Sequence, residues 1–343
     1  MTTEEVVGPR RGAPTIRQVA ALAGVSRATA SRVINGGHLV SEEARLAVEA
    51  AIAELNFTPN PAARSLATRR TGSVALVVPE PNQRLLTDPF FAGIINGLSM
   101  ALEEEDLQML LLIARNAVRA RRAVHYVTTG HVDGAVVASH HRDDGLNRAL
   151  VASGLPTVFI GRPLDAPTAH YVDIDNTRGA RLATEHLVTR GCRRIGTIAG
   201  PGDMTAGIDR LAGWQEALAA AGLPDDAVER GDFTARGGAE AMARLLDRAP
   251  DLDAVFVAND LMASGALLQL AARGRSVPDD VAVFGFDDIG VAESTDPPLS
   301  TVAQPLTSMA GRAGRLLASL LRGEQVAPGP VLFEPRVTLR ESA

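Results

Sequence analysis

Apolar positions in this chain follow two different spacings, and the change comes near residue 72. Before it the spacing is that of short amphipathic helices. Ile16, Val19, Ala20 and Ala23 recur at i, i+3, i+4 and i+7, with Thr15 placed to cap the helix they imply. Gly24-Val25-Ser26 interrupts the stripe: Gly24 suits the positive φ that ends a helix, Val25 drops into a small core, and Ser26 caps a second helix. That helix turns Ala30, Val33 and Ile34 inward and leaves Arg27, Ala28, Thr29, Ser31 and Arg32 outward, as far as Asn35. Ser41 caps a third, with Glu42 and Glu43 in its first turn and Ala44, Val48, Ala51, Ile52 and Leu55 on its buried face. Asn60-Pro61 then offers a cap and a first-turn proline for a segment of about two turns, too short to be a stable helix alone.

Beyond residue 72 continuous apolar strands alternate with amphipathic helices. Strands are predicted over 74–78, 107–113, 134–138, 157–160, 195–199, 254–258 and 281–284, with helices over 90–105, 177–190, 210–221 and 261–273. A terminal strand is predicted over 331–339. Runs of this kind belong to parallel sheets covered on both faces. The series is too long for one sheet and reads as duplicated. The predicted fold class is therefore α/β: a three-helix headpiece followed by two doubly wound lobes with a cleft between them. Its divisions are an N-terminal arm over 1–14, a helix-turn-helix over 15–58, a short helix and linker over 59–72, and the two-lobed body over 73–343.

Charge changes the picture in one respect. The net charge of −6 is unevenly spread: residues 1–72 carry nine arginines against six glutamates, +3, and the remainder carries −9. A basic head on an acidic body is what a small phosphate-facing domain requires. The single cysteine, Cys192, excludes an internal disulfide framework and suits a packing role. The N-terminus has no apolar signal core and no apolar run reaches membrane-spanning length, so a cytoplasmic protein with no membrane partner is expected.

The stretches VAALAGVSRATASRVIN, AELNFTPN and PAARSLATRRTGSVALVVP occur in the order and spacing of the LacI/GalR family of bacterial repressors, which this chain resembles along essentially its whole length. The resemblance implies a dimeric DNA-binding regulator with a periplasmic-binding-protein-like sensor. Arg27 and Ala28 would then read bases at the start of the recognition helix. Thr15, Ser26, Thr29, Ser31, Arg32 and Asn35 fall at the phosphate- and base-contacting positions around it. The segment of Asn60, Ala63, Arg64 and Leu66 matches the family's hinge helix, ordered on DNA, with Leu66 wedged in the minor groove. The implied partner is palindromic double-stranded DNA. Arg27 can bond O6 and N7 of guanine, so guanine-containing half-sites around a central C–G step are expected. The family's chain crosses between lobes three times, here expected near 173–176, 304–305 and 328–331.

Ligands of doubly wound domains sit at strand carboxyl ends. There the chain places Arg162, Asn259 and Asp287; Arg210 opens a predicted helix, Phe90 and Phe91 begin another, and Phe233 lies in a glycine-rich loop. Aromatic faces with Arg, Asn and Asp groups are what a polyhydroxylated sugar needs. Arg210, Asn259 and Asp287 match the family's effector positions; Phe91, Arg162, Phe233 and Gln304 match less tightly. Trp214 reads as core, and Asp260 as a helix cap. YVDIDN, GDFT and LDRAPDLDAVF are most similar to cellobiose-responsive actinobacterial members, which makes a small sugar, cellobiose or a related oligosaccharide, the expected effector.

Enzymatic signals are weak. Gly200-Pro201-Gly202 lacks the third glycine of a dinucleotide loop, no phosphate loop is present, and no nucleophile–base set emerges. His140-His141 lacks further ligands for a metal and reads as a solvated loop. No catalysis, cofactor or metal is expected. No leucine heptad follows 331–339, so the assembly expected is a homodimer. The alternative is a sugar-binding protein of a transport system, which does not predict salt-dependent DNA binding by residues 1–72.

Overall fold

The computed structural model describes residues 14–34, 40–58, 70–142, 145–327 and 329–343. The chain divides into two compact units on either side of the Thr71–Gly72 bond.

In the first unit three helices, Ile16–Leu22, Arg27–Ile34 and Glu42–Leu55, enclose a core of Val19, Ala20, Ala30, Val48 and Ala51, with Val25, Val33, Ile52, Leu55 and Phe57 packed around it. Local chemistry sets the boundaries. Thr15 and Gln18 form a reciprocal capping box. Gly24 turns the chain at φ 65°. Ser26 Oγ accepts from Thr29 N at 3.1 Å, and Ser41 Oγ accepts from Ala44 N. Asn56, at φ 46°, ends the third helix in the left-handed region that asparagine tolerates. The expected segment over 60–67 lies outside the described residues, as does Asn35.

The second unit holds two six-stranded sheets. The first runs β11(Pro330–Phe333)–β5(His170–Ile174)–β4(Thr157–Ile160)–β3(Gly134–Ala138)–β1(Ser73–Val78)–β2(Gln108–Ile113), all parallel. The second runs β12(Arg336–Thr338)–β10(Ser300–Ala303)–β9(Ala282–Asp287)–β8(Ala254–Val257)–β6(Ile195–Ala199)–β7(Val228–Arg230), with only β12 antiparallel. The central strands β1, β3, β4, β6, β8 and β9 are almost wholly buried, as two-faced parallel strands must be. Trp214 is buried in the core, and so is Cys192, whose thiol pKa burial raises.

Three pairs of helices on these sheets touch backbone to backbone at a glycine. A Cβ at Gly97 would stand 2.1 Å from Thr307 O, at Gly213 2.0 Å from Thr177 O, and at Gly265 1.8 Å from Ala235 O. Only glycine permits approaches that close. They seat Pro89–Glu103 on Leu306–Leu321, Thr205–Ala221 on Asn176–Arg190, and Asp260–Ala272 on Ala235–Arg248.

The lobes are joined at three places: after β5, between β10 and the helix Leu306–Leu321, and between β11 and β12. The last corrects two expectations. The strand expected over 331–339 is split, because Glu334-Pro335 breaks the ladder and sends β11 to one sheet and β12 to the other. That crossing therefore falls at 334–335, not at 328–331. The helix expected to open at Arg210 begins at Thr205, which puts Arg210 in its second turn.

Candidate functional site

Two surfaces carry the predicted chemistry. On the headpiece, Thr15, Ser26, Arg27, Ala28 and Arg32 are exposed, while Thr29 and Ser31 are half-buried beside them. The Thr29 hydroxyl lies 2.9 Å from Ser26 Oγ, so the two side chains lock the start of the helix that presents Arg27 and Ala28. Asn60, Ala63, Arg64 and Leu66 lie outside the described residues, with Asn35.

The second surface is the cleft at the strand carboxyl ends of both sheets. It encloses about 640 Å³ of space free of atoms, partly open to solvent. From the first lobe come Arg84, Asp88, Phe90 and His140; from the second come Arg210, Phe233, Asn259, Asp287 and Gln304. Six of the eight expected residues thus line one cavity.

Arg210 is the hub of the second-lobe half. Its Nε donates to Asn176 Oδ1 at 2.8 Å, Nη1 to Ala258 O at 2.6 Å and Asp287 Oδ1 at 3.1 Å, and Nη2 to Gln304 Oε1 at 3.1 Å. Its guanidinium carbon lies 3.6 Å from the centre of the Phe286 ring. The pairing of Ala303 with Asp287 sets Gln304 and Asp287 at one sheet end. Burial pushes the Asp287 carboxyl up to about 7 against the pull of Arg210, and Asp173 nearby up to about 6. Asn259 caps its helix through Met262 N and donates to Phe233 O at 3.2 Å, holding Phe233 at φ 64° under the cleft. Asp260, expected as that cap, is instead wholly buried and accepts from Thr301 Oγ1 at 2.6 Å and Ile289 N at 3.0 Å.

On the first-lobe half, Asp88 Oδ1 accepts from Phe90 N at 2.9 Å, and its Oδ2 lies 3.9 Å from Arg84 Nε. That Nε is buried and has no hydrogen-bond partner among the described residues. The Arg84 guanidinium lies 5.3 Å from the Phe233 ring centre and 6.0 Å from that of Phe91. His140, buried, donates from Nε2 to Gly161 O at 3.1 Å, and burial lowers its pKa to about 4. A neutral ring donating from Nε2 leaves Nδ1 as an acceptor.

Three expectations need correction. Phe91 does not line the cleft: at 1% exposure it is packed with Ile94 and Leu98, because adjacent helical residues point about 100° apart and Phe90 takes the cleft side. Arg162 is turned away from the cavity, its Nη2 bonding both oxygens of Asp209 at 2.7 and 2.8 Å. His140-His141 is no solvated loop: His140 is buried and His141 is held between Glu80 and Asp203. Arg84 and Asp88 were missed, although Asp88-Pro89 was legible as a helix start. No cluster of metal-ligand type and no helix long and apolar enough to cross a membrane occurs among the described residues.

Residues 15–60 match the model of bacterial regulatory proteins of the lacI family, and 184–343 match a periplasmic binding protein-like domain. The chain is 51% identical to the HTH-type transcriptional regulator CelR of Thermobifida fusca, over 97% of this chain and 99% of that one. It is 34% identical to the regulator GalR of Escherichia coli K12, over 96% and 95%. Among solved structures, a complex of the transcriptional regulator CelR with cellobiose superposes with TM-score 0.78 at 49% identity, over 96% of this chain and all of that one. The lac repressor dimer bound to operator and the anti-inducer ONPF superposes with TM-score 0.84 at 28% identity, over 96% and 98%.

Proposed function

Since the chain belongs to the lacI family of bacterial regulatory proteins, we propose that it is a homodimeric, cytoplasmic repressor whose operator affinity is switched by a small sugar, cellobiose or a related oligosaccharide. The observation that carries the effector is the two-sided cleft, in a chain half identical to a regulator whose structure holds cellobiose. Phe90 and Phe233 supply aromatic surface for a sugar's C–H face. Asp287, Gln304 and Arg210 supply bonds to hydroxyls from the second lobe. On the first lobe a hydroxyl seated between Arg84 Nε and Asp88 Oδ2 accepts from one and donates to the other, satisfying the orphaned donor. The reading is of a binding protein, in which the polar groups bind and orient.

On the DNA side, Arg27 and Ala28 read base edges, and Thr15, Ser26, Thr29, Ser31, Arg32 and Asn35 hold the register against phosphates. Asn60, Ala63, Arg64 and Leu66 supply the further contacts to the operator's minor groove. A sugar touching both lobes favours one lobe arrangement and changes operator affinity only by its differential affinity for the two. The test is titration of a fluorescent palindromic operator by the full chain with and without cellobiose. A shifted midpoint supports the reading, and none across a panel of mono- and disaccharides refutes the sugar switch. Asp88→Asn should weaken cellobiose roughly 10- to 100-fold, the ~1.5–3 kcal/mol of a hydrogen bond to a charged group, with sugar-free operator binding unchanged.

A further inference from the structure

One histidine in this unit is placed where neither sugar nor DNA uses it. His141, on the loop after β3 in the first lobe, has Nδ1 2.8 Å from Asp203 Oδ2 and Nε2 3.2 Å from Glu80 Oε1. Glu80 follows β1 in the same lobe and is almost fully buried, whereas Asp203 follows β6 in the other lobe and is half-buried. Carboxylate oxygens only accept. Bonds from both ring nitrogens to carboxylates therefore require N–H on both, and the ring is an imidazolium.

We propose that His141 is an interlobe positioning residue: its proton holds the cleft closed through Asp203, so that closure and the sugar response depend on the charge of this one ring. The clasp stands on the geometry alone; its link to the effector rests on the sugar reading above.

The surroundings fit a charged ring. Burial opposes ionisation of Glu80, but His141, Arg84 at 2.5 Å and Ser139 at 2.7 Å outweigh it and hold the carboxyl below its ordinary range. The bond to Glu80 raises the His141 pKa most, burial opposes it, and the bond to Asp203 adds to it, to about 9. His140 next door is held neutral by burial and adds no like charge. Arg142 faces Asp203 through its backbone, N–H to Asp203 O at 2.9 Å, which aims the loop. A neutral His141 keeps one N–H. Glu80, buried and in the same lobe, retains it, and the bare Nδ1 then faces the Asp203 carboxylate. Deprotonation thus breaks the ring's bond across the lobes, leaving its bond within the lobe and the backbone bond of Arg142 to Asp203 O.

Closure raises the His141 pKa, so the stabilisation is complete below the ordinary 6.5 and is lost as pH rises through about 9. Were Asp203 responsible for the whole rise, the closed state would lose roughly 300-fold over that window. Glu80 stays with His141 in both lobe arrangements, so the loss expected is several-fold.

The direct test is a pH titration of the full chain carrying ¹⁵N-imidazole histidine, with the His141 signal identified by its disappearance in His141→Gln. The expected result is two protonated ring nitrogens up to about pH 9, with a lower midpoint in Asp203→Asn. A midpoint at or below 6.5, or one that Asp203→Asn leaves unmoved, overturns the clasp. Calorimetry with cellobiose from about pH 8 to 9.5, above the titration of Asp287, tests the link: affinity should fall several-fold in the wild type and stay nearly flat in His141→Gln. An equal fall in both overturns the link. If cellobiose does not bind at any pH, the sugar reading and the link fail together, while the histidine titration still decides the clasp.

Discussion

Arg210→Met separates a structural hub from a ligand contact. Methionine keeps the length and much of the packing of arginine and removes all its donors. Asn176 Oδ1, Ala258 O, Asp287 Oδ1 and Gln304 Oε1 then lose a partner in a region where the Arg210 side chain is 4% exposed and that of Asp287 5%. Removing one partner of a buried ion pair costs about 3–5 kcal/mol. For a unit of this size that is a fall in Tm of roughly 6–20 °C. The loss should also depend on pH. The folded pKa of Asp287, about 7, lies above its ordinary 3.8, so this group favours the fold most at low pH, and that contribution is lost as pH rises through 7. Removing Arg210 takes away the charge that lowers it, so the variant must bury an unpaired carboxylate or a proton at about pH 8, but only a neutral acid at about pH 5.5. Melting curves of wild type, Arg210→Met, Asp287→Asn and the double variant, at one protein concentration and both pH values, test this. The wild-type advantage should be wider at the higher pH, and the double variant should recover part of it there. An equal gap at both pH values, or a double variant no better than Arg210→Met, would refute the reasoning.

Arg27→Ala should cost about 1–3 kcal/mol of operator binding at one base position per half-site, read as relaxed preference in a competition against single-substituted operators. A uniform loss on every sequence would make Arg27 a phosphate contact instead. Gly213→Ala places a methyl 2.0 Å from Thr177 O, so the helices Thr205–Ala221 and Asn176–Arg190 must part. Overpacking of this kind costs at least about 1–3 kcal/mol, and a melting temperature within a degree of wild type would show that the helices separate freely.

The features legible in the sequence and those hidden from it divide along physical lines. The headpiece was readable because its caps and stripes are local: Thr15 with Gln18, Ser26 with Thr29 and Ser41 with Ala44 each act within one turn. The buried strands were readable because two-faced strands are continuously apolar. The helices Ala235–Arg248 and Leu306–Leu321 were equally legible, for Ala241, Met242, Leu245 and Leu246 on the one and Leu306, Met309, Ala310, Ala313 and Leu317 on the other recur at helical spacing, yet they were passed over. Within the cleft, residue type indicated Arg210, Asn259 and Asp287, yet no pattern of types tells Phe90 from Phe91, since only the rotation of the helix does. His141 was least legible: its partners stand 61 and 62 residues away in opposite directions, and a pair of histidines by itself reads as polar loop.

The strength of the direct links between the lobes bears on how a sugar could act. Besides the His141 clasp, the lobes meet through the Arg142 N–H, which donates to Asp203 O, through Arg162 and Asp209, and through the Thr205 hydroxyl, which donates to Arg162 O. Arg162, turned away from the cavity, thus belongs to the closure of the cleft and not to its lining. Partly exposed ion pairs of this kind contribute about 0–1 kcal/mol each. Shifting a two-state equilibrium from 1:99 to 99:1 takes about 5.5 kcal/mol. A few weak links therefore bias closure without locking it. The orphaned Arg84 Nε on one lobe and the Asp287 carboxyl on the other, by contrast, are buried groups whose bonds to a ligand are strong because they lie out of water. A hydroxylated ligand long enough to engage both adds its energy only in the arrangement that brings them within reach. A ligand that satisfies a single lobe has no differential affinity for the two arrangements and so binds without shifting the equilibrium between them.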